Sequence, residues 1–367
     1  MQVPYSYLAR QFADVEAYLD DIRAVVASGD FTLGAAVSQF EENFARLIGL
    51  DHVIGVASGT DALMLALKAV GVGPGDEVIT APNTFVATVG AIVMTGARPV
   101  FVDVNEVYAI DTAKIEAAIT PRTKAIMPVH LSGNPADLPA VMEIAERRGL
   151  AVIEDAAQAI LAKVDGKHVG SFGAAAGFSL HPLKNLNVWG DGGLIATTSA
   201  EMAEKLRLWR NHGLKGRDEV AFYAHNSRLD SLQAVVGNRL LGQVEEITAR
   251  RIANARRFDE AFRGLAEFIT IPPRDERFRQ VFHTYVIQAE DRDALLQHLL
   301  EAGVRAKVHY PIPLHLQEAS KGLGYCEGDF PVCEEQCRRI ITLPVHQHLT
   351  EAELDYVTSQ VRKFYLG

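Results

Sequence analysis

Cysteine is scarce in this sequence: there are three in 367 residues, and all lie between Cys326 and Cys337. So few thiols in so long a chain exclude a disulfide framework. The three could be ligands of a metal or iron–sulfur site, but no cysteine elsewhere completes a four-thiolate set. Cys333 and Cys337 also lie one helical turn apart. We therefore expect reduced structural thiols and no metal.

An excess of positive charge is also absent. The chain has 36 lysines and arginines against 46 aspartates and glutamates, a formal net charge of −10. Binding to nucleic-acid phosphates requires clustered cations, so this balance argues against a nucleic-acid partner. No apolar run approaches the ~20 residues that cross a bilayer, and the amino terminus lacks a signal pattern. We expect a cytoplasmic protein without a membrane partner.

The sequence does contain a regular alternation of short β-rich runs with helical patterns. The runs cover residues 53–57, 77–80, 99–104, 125–130, 151–154, 175–180 and 194–198. This alternation predicts an α/β fold, with a mainly parallel seven-stranded sheet between helices. Ligands of such sheets bind beyond the carboxyl ends of the strands.

A long helical pattern over residues 230–265, with a potential break at Gly242, follows the predicted sheet. We divide the chain into a large domain, residues 1–240, and a smaller α+β domain, residues 241–367. The smaller domain has predicted strands at 281–288 and 304–309 and predicted helices at 292–302, 331–341 and 351–365. Thr350 and Glu353 form a capping box for the last helix.

The stretch from Gly177 to Gly193 places a hydroxyl, Ser179, five positions before Lys184 and ends in glycines. Pro182 and the glycines disfavour a regular element, so Lys184 is expected on a loop. A loop lysine beside a phosphate-binding hydroxyl is what a pyridoxal phosphate (PLP) enzyme needs, because its amine forms a Schiff base with the cofactor aldehyde. On this stretch alone, an ordinary surface lysine is equally compatible.

Gly59 and Thr60 fall where a predicted strand turns into an amphipathic helix. Unpaired N–H groups and the helix dipole attract an anion at such a point. A plain helix cap by Thr60, with nothing bound, is the commoner outcome.

Two carboxylates, Glu154 and Asp155, end an apolar strand. A carboxylate in this position that faces a pyridine nitrogen would keep that nitrogen protonated. Capping of a following helix is an equal alternative.

Phe85 could stack on a planar cofactor, although a core phenylalanine is commoner. His309, Tyr310 and His315 could line a cleft between the domains or belong to a surface connector.

As an ordered set, these segments resemble the DegT/StrS family of PLP-dependent sugar aminotransferases, which have the aspartate-aminotransferase fold. The similar segments are SGTDAL (58–63), PNTFVAT (82–88), EDAAQA (154–159), SLHPLKNL (179–186), GDGG (190–193), NSRLDSLQA (226–234) and VHYPIPLHLQ (308–317). One departure follows EDAAQA, where Ile160 and Leu161 stand in place of the histidine and glycine that family members often carry.

The resemblance implies a role for each matching residue. Lys184 would form the Schiff base, and Asp155 would pair with the pyridinium nitrogen. Gln158 would contact the ring hydroxyl side, and Phe85 would stack on the ring. The phosphate would be held by Ser179, Gly59 and Thr60. The resemblance also implies a homodimer in which Asn226 reaches the phosphate of the neighbouring subunit's cofactor.

The activity implied is a ping-pong transamination from an amino acid, expected to be L-glutamate, to the keto group of a nucleotide-linked sugar. Two alternatives remain: a PLP-dependent sugar dehydratase on the same scaffold, and a non-catalytic regulator that retains the fold. The presence of Lys184, Asp155 and Ser179 favours transamination. Substrate contacts are expected from Trp189, His309, Tyr310 and His315.

Overall fold

The computed structural model describes residues 1–367. Its α-helices are α1 (Leu8–Gln11), α2 (Glu16–Ser28), α3 (Ala35–Ile48), α4 (Gly59–Ala69), α5 (Val86–Met94), α6 (Thr112–Ala118), α7 (Leu138–Arg148), α8 (Ala200–Arg210), α9 (Ser231–Leu241), α10 (Val244–Phe262), α11 (Arg292–Glu301), α12 (Pro331–Arg339) and α13 (Glu351–Leu366). Its strands are β1 (His52–Val56), β2 (Glu77–Thr80), β3 (Arg98–Phe101), β4 (Thr123–Ile126), β5 (Ala151–Asp155), β6 (Lys163–Val164), β7 (Lys167–His168), β8 (Ala175–Ser179), β9 (Gly193–Thr197), β10 (Ile269–Thr270), β11 (Phe278–Arg279), β12 (Tyr285–Ala289) and β13 (Ile340–Leu343).

The main sheet has seven strands in the order β1-β9-β8-β5-β4-β2-β3. The strands from β3 to β8 in this order pair in parallel, whereas β9 is antiparallel to both of its neighbours. Strands β2, β8 and β9 are buried along their whole length, because helices cover both faces of the sheet. The predicted α/β class with a mainly parallel seven-stranded sheet is confirmed. Asp155 and Ser179 end two adjacent parallel strands, so they lie at the same edge of the sheet.

A second, three-stranded antiparallel sheet has the order β10-β12-β13. It packs with α10, α11 and α13 around a separate core that includes Phe258, Tyr285 and Leu299. The helical pattern over 230–265 forms α9 and α10, with Gly242 between them. The Thr350 and Glu353 capping box is present at the start of α13. The division of the chain at residue 240 stays a prediction.

The predicted strand at 304–309 is wrong. This segment forms only two isolated β-bridges, from Val304 to Val3 and from Lys307 to Thr342 of β13. Beyond Lys307 the chain leaves the sheet, and the Nδ1 atom of His309 bonds to the Thr342 hydroxyl at 3.0 Å. The predicted helix at 331–341 is also shorter, because residues from Ile340 onward form β13.

The first eleven residues contact both parts of the chain. Val3 exchanges backbone hydrogen bonds with Gly303 and Arg305, each 3.0 Å long, and its side chain is buried in the second core. Further along, Arg10 forms an ion pair of 2.6 Å with Glu353 of α13. We call residues 3–11 the amino-terminal strap. No helix of the protein combines the length and apolar character needed to span a membrane.

Candidate active site

A cleft of about 470 Å³ opens at the edge of the main sheet where β5 and β8 end. Nine of the residues singled out from the sequence line it: Gly59, Thr60, Phe85, Asp155, Gln158, Ser179, Lys184, His309 and Tyr310. A larger open hollow of about 840 Å³ contains none of them, and its Arg274 and Asp259 already pair with each other. The smaller cleft is therefore the candidate active site.

Lys184 lies on the loop between β8 and β9, as predicted. Its backbone N–H donates to the His181 carbonyl at 2.8 Å, and its own carbonyl accepts from the Tyr7 hydroxyl at 2.7 Å and from Asn187 Nδ2 at 2.9 Å. Burial lowers the pKa of the Lys184 amine to about 8, and the charge of Asp155 opposes this shift. The loop is thus held in place by backbone contacts, and an appreciable fraction of the amine is neutral near pH 8, as a nucleophile requires.

Asp155 is buried at the bottom of the cleft. It accepts a hydrogen bond of 2.6 Å from the Thr88 hydroxyl and one of 3.2 Å from the Ala157 N–H. Burial raises the pKa of Asp155, although Thr88, the Ala157 N–H and the charge of Lys184 oppose the shift. A cation facing this carboxylate would offset the cost of burying its charge. A protonated ring nitrogen would supply that cation.

Glu154, the adjacent acid, has a different environment. Its carboxylate accepts from the N–H groups of Gly170 at 2.6 Å and of Phe172 and Gly173 at 2.9 Å, and it lies 3.3 Å from His130 Nε2. Burial acts to raise the pKa of Glu154, but His130 and the backbone donors outweigh it, so the pKa is lowered. Glu154 fixes the 170–173 turn and does not line the cleft. The alternative that one of the two acids caps a following helix is wrong, because no helix directly follows β5.

A helix amino terminus forms one end of the cleft. Ser58, not Thr60, is the cap of α4: its hydroxyl accepts from the Asp61 N–H at 3.1 Å. The first N–H groups of an α-helix have no partner within the helix, so those of Gly59 and Thr60 are available to an anion. Ser227 fixes this turn from the side, donating to Asp61 at 2.8 Å and accepting from the Ala57 N–H at 3.2 Å.

Close contact between the helix and β8 makes Gly59 sensitive to substitution. A Cβ atom at Gly59 would lie 2.7 Å from the Cβ atom of Ser179. We expect Gly59→Ala to push the helix start away from Ser179 and to weaken phosphate binding about tenfold or more, measured by titrating the cofactor-free protein with PLP. Gly90→Ala in α5 is the matched control, because nothing lies within 4 Å of its added methyl group. Equal affinity in both variants would contradict the assigned phosphate site.

Aromatic and amide side chains form the wall of the cleft. Phe85 is 49% exposed, and its ring centroid lies 5.9 Å from that of Tyr310. It is therefore not the core phenylalanine that is commoner at such positions, and it is available for stacking. Gln158 accepts from the Ser132 N–H at 2.7 Å, which fixes its side chain at the cleft.

Three other residues singled out from the sequence do not line this cleft. His315 is buried, with its Nε2 atom 3.0 Å from a carboxylate oxygen of Glu334. Its imidazole packs against Phe330, with ring centroids 4.7 Å apart, so the substrate contact expected for His315 has no support in the cleft of this chain and stays a prediction. Trp189 packs edge-on against Phe12, with ring centroids 5.6 Å apart, and so supports the loop from behind. Asn226 is exposed and outside the cleft of its own chain, so its role toward a neighbouring subunit stays a prediction.

Sequence reasoning missed several residues of the site. Tyr5, His283 and Lys307 line the cleft, and Tyr7 and Thr88 hold its key groups by hydrogen bonds. None belongs to a spacing pattern with a known chemistry. The pairing of Thr88 with Asp155 joins positions 67 residues apart, which only the folded sheet brings together.

The residues of the cleft fit PLP. A helix amino terminus and the Ser179 hydroxyl suit its phosphate, and Phe85 suits its ring. The buried Asp155 carboxylate suits a ring nitrogen, and Lys184 provides an amine for its aldehyde. Fold and site together define an aminotransferase of the PLP-dependent class.

The chain belongs to the DegT/DnrJ/EryC1/StrS aminotransferase family, whose sequence model matches residues 13–362. It is 41% identical to a UDP-N-acetyl-3-dehydro-alpha-D-glucosamine 3-aminotransferase of Acidithiobacillus ferrooxidans, covering 100% of this chain and 98% of that protein. It is 42% identical to a pleiotropic regulatory protein of Geobacillus stearothermophilus, covering 100% of this chain and 99% of that protein.

Solved structures share the fold. The crystal structure of Streptomyces venezuelae DesV is 39% identical, has a TM-score of 0.97, and is matched over 100% of this chain and 99% of that one. Bacillus subtilis NtdA with bound PMP, the amino form of the cofactor, is 33% identical with a TM-score of 0.92, over 99% of this chain and 85% of that one.

Proposed function

We propose that the protein transfers an amino group from L-glutamate to a keto group of a nucleotide-linked sugar, with PLP as cofactor. The observation that carries the proposal is the pair formed by Lys184 and Asp155. A lysine with a pKa of about 8 and a buried carboxylate line one cleft, next to a helix amino terminus. A protein that only bound sugars would have no need of this combination.

When bound, PLP supplies an electrophilic aldehyde and a ring that withdraws electrons from the reacting carbon. The residues of the chain do the rest. The Gly59 and Thr60 N–H groups and the Ser179 hydroxyl bind the phosphate. Asp155, held by Thr88, keeps the proton on the ring nitrogen.

Lys184 moves protons. With PLP bound, its neutral ε-amine would act as the base that removes the proton from the donor α-carbon. Because its carbonyl is bound by Tyr7 and Asn187, the backbone of Lys184 stays fixed while its side chain moves. The same amine, once protonated, returns a proton during amination of the sugar.

The proposed unit is a homodimer with two composite sites. Asn226 is exposed, whereas the adjacent Ser227 is buried and bonded to the phosphate-binding turn. This arrangement supports a role for Asn226 toward the cofactor of the neighbouring subunit. The cytoplasmic location stays a prediction.

An absorbance spectrum before and after the addition of L-glutamate tests the proposal. We expect a visible band from the Schiff base that is lost with glutamate and restored by a nucleotide ketosugar such as the UDP-linked 3-keto sugar used by the Acidithiobacillus relative. The product of the second step must carry the amine. A sugar product without nitrogen would indicate the dehydratase, and a protein that takes up no PLP would indicate the regulator.

A further inference from the structure

The cleft contains a lysine to which the proposed reaction assigns no role. Lys307 lines the cleft together with His309 and Tyr310. Its backbone is fixed by two hydrogen bonds with Thr342, of 3.0 and 2.8 Å. Its side chain extends over the ring of Tyr5, with Nζ 4.5 Å from the ring centroid. Lys307 is exposed, and its ammonium lies at the cleft in a cation–π contact, on backbone that is bonded to β13.

Lys307 has no carboxylate partner. Lys114, Lys215 and Lys321 lie within 4 Å of a carboxylate, whereas Lys307, like several other lysines of the chain, does not. Lys307 differs from those other lysines, apart from the Schiff-base lysine, because it lines the cleft. Burial raises the pKa of Tyr5, so the phenol beneath the ammonium is neutral and offers no counter-charge. An ammonium held without a counter-ion in a chain of net charge −10 is a site for an external anion.

The remaining basic groups of the cleft do not supply this charge. No arginine lines the cleft, and its histidines are His181, His283 and His309. Burial lowers the pKa of all three, to about 4 for His309, so they are neutral at pH 7. Lys184 is committed to the cofactor. Among the residues of this chain that line the cleft, Lys307 is the one remaining basic side chain.

We propose that Lys307 is the anion-recognition residue of the cleft and binds a negatively charged group of a substrate. This inference rests on the proposed function, because that function decides which substrates enter the cleft. Two groups share the required chemistry: a carboxylate of the amino donor and the diphosphate of the nucleotide sugar. In either case Lys307 sets how tightly the substrate binds and takes no part in the proton transfers.

The test measures binding of unreactive anions to the PLP-loaded protein by calorimetry. Glutarate represents the donor carboxylates, and UDP and dTDP represent the diphosphate. We expect Lys307→Met to lower the affinity for one kind of probe about tenfold or more. Lys307→Arg should retain most of the affinity for that probe. Because methionine preserves the apolar stem over Tyr5, the loss reports on the charge. Weaker glutarate binding identifies the donor carboxylate, and weaker nucleotide binding identifies the diphosphate.

Arg305→Met is the matched control. Arg305 is exposed, forms no ion pair and does not line the cleft, so its loss changes the net charge equally. An equal loss of affinity in this variant would overturn the proposal, as would unchanged binding of both kinds of probe to Lys307→Met. Wild-type protein that binds neither glutarate nor nucleotide would overturn it too.

Kinetics separate this inference from the proposed function. In Lys307→Met, the half-saturating concentration of the affected substrate should increase about tenfold at an unchanged maximal rate of its half-reaction. Failure of wild-type protein to react with glutamate would refute the proposed donor reaction itself. If the wild type and Lys307→Met both react normally, and each substrate has the same half-saturating concentration in the two proteins, only the role of Lys307 is refuted.

Discussion

Lys184→Ala is expected to reduce turnover by about 10⁴-fold, the upper range for loss of a positioned acid–base group, and to abolish the visible Schiff-base band. The reason is that burial lowers the pKa of the Lys184 amine to about 8, whereas the only other amine of the cleft, that of Lys307, belongs to an exposed residue. Both half-reactions should be affected equally, because the same amine serves both. Stopped-flow absorbance with glutamate and with a nucleotide ketosugar measures each separately.

Two variants make this expectation specific. Lys184→Arg keeps a positive charge but cannot provide a neutral amine, so it should be as inactive as Lys184→Ala. Lys124→Ala removes an exposed lysine outside the cleft and should retain full activity. In the wild type, Schiff-base formation with added PLP should accelerate as pH increases through about 8, because the neutral amine predominates above its pKa. Turnover by Lys184→Ala near the wild-type rate would refute the assignment.

Asp155→Asn is expected to slow both half-reactions by about 10³-fold, the range for loss of a preorganised charge at a reacting group. Asparagine has nearly the same shape and can still accept from Thr88, but it cannot hold the proton on a ring nitrogen. Folding should be unaffected or slightly favoured, because the burial cost of the carboxylate, seen in its raised pKa, is removed. Stopped-flow rates and thermal unfolding measure the two effects.

Glu154→Gln is the matched control, one residue earlier in the same strand. Gly170 donates to one carboxylate oxygen of Glu154, and Phe172 and Gly173 donate to the other. The glutamine NH₂ would replace one of these oxygens and leave at least one N–H donor unpaired, at a cost of about 1–3 kcal/mol of unfolding free energy. Molecules that fold should react at the normal rate. The reverse pattern, an inactive Glu154→Gln and an active Asp155→Asn, would exchange the roles of the two acids.

The sheet could be predicted because the spacing of apolar residues changes at each boundary between a helix and a strand. The reversal of β9 was not predictable, since a buried strand has the same apolar run in either direction. The predicted strand at 304–309 failed for another reason. Its residues have β propensity, but after Lys307 the side chain of His309 bonds to Thr342 and the backbone leaves the ladder.

At the site, residues whose chemistry can be read from their own motif were found. Thr88 was missed although it lies in the same PNTFVAT segment as Phe85, because its role depends on a tertiary contact, and Tyr7 was missed for the same reason. Lys184 and Ser179 lie close in sequence, whereas Thr88 and Tyr7 reach their partners across 67 and 177 positions. The departure at Leu161 is similarly informative. Its φ of 68° lies in the left-handed region, which favours glycine, and its side chain is nevertheless accommodated by burial in the core.

The amino-terminal strap limits how freely this protein can be recombined with its relatives. Through Val3 it is bonded to Gly303 and Arg305 and packs in the core of the carboxyl-terminal part, and through Tyr7 it holds the carbonyl of Lys184. A chimera that exchanges residues 241–367 alone would separate Arg10 from the Glu353 with which it pairs. The units that can be exchanged between relatives are therefore discontinuous, and we expect that a functional graft of residues 241–367 has to include residues 3–11.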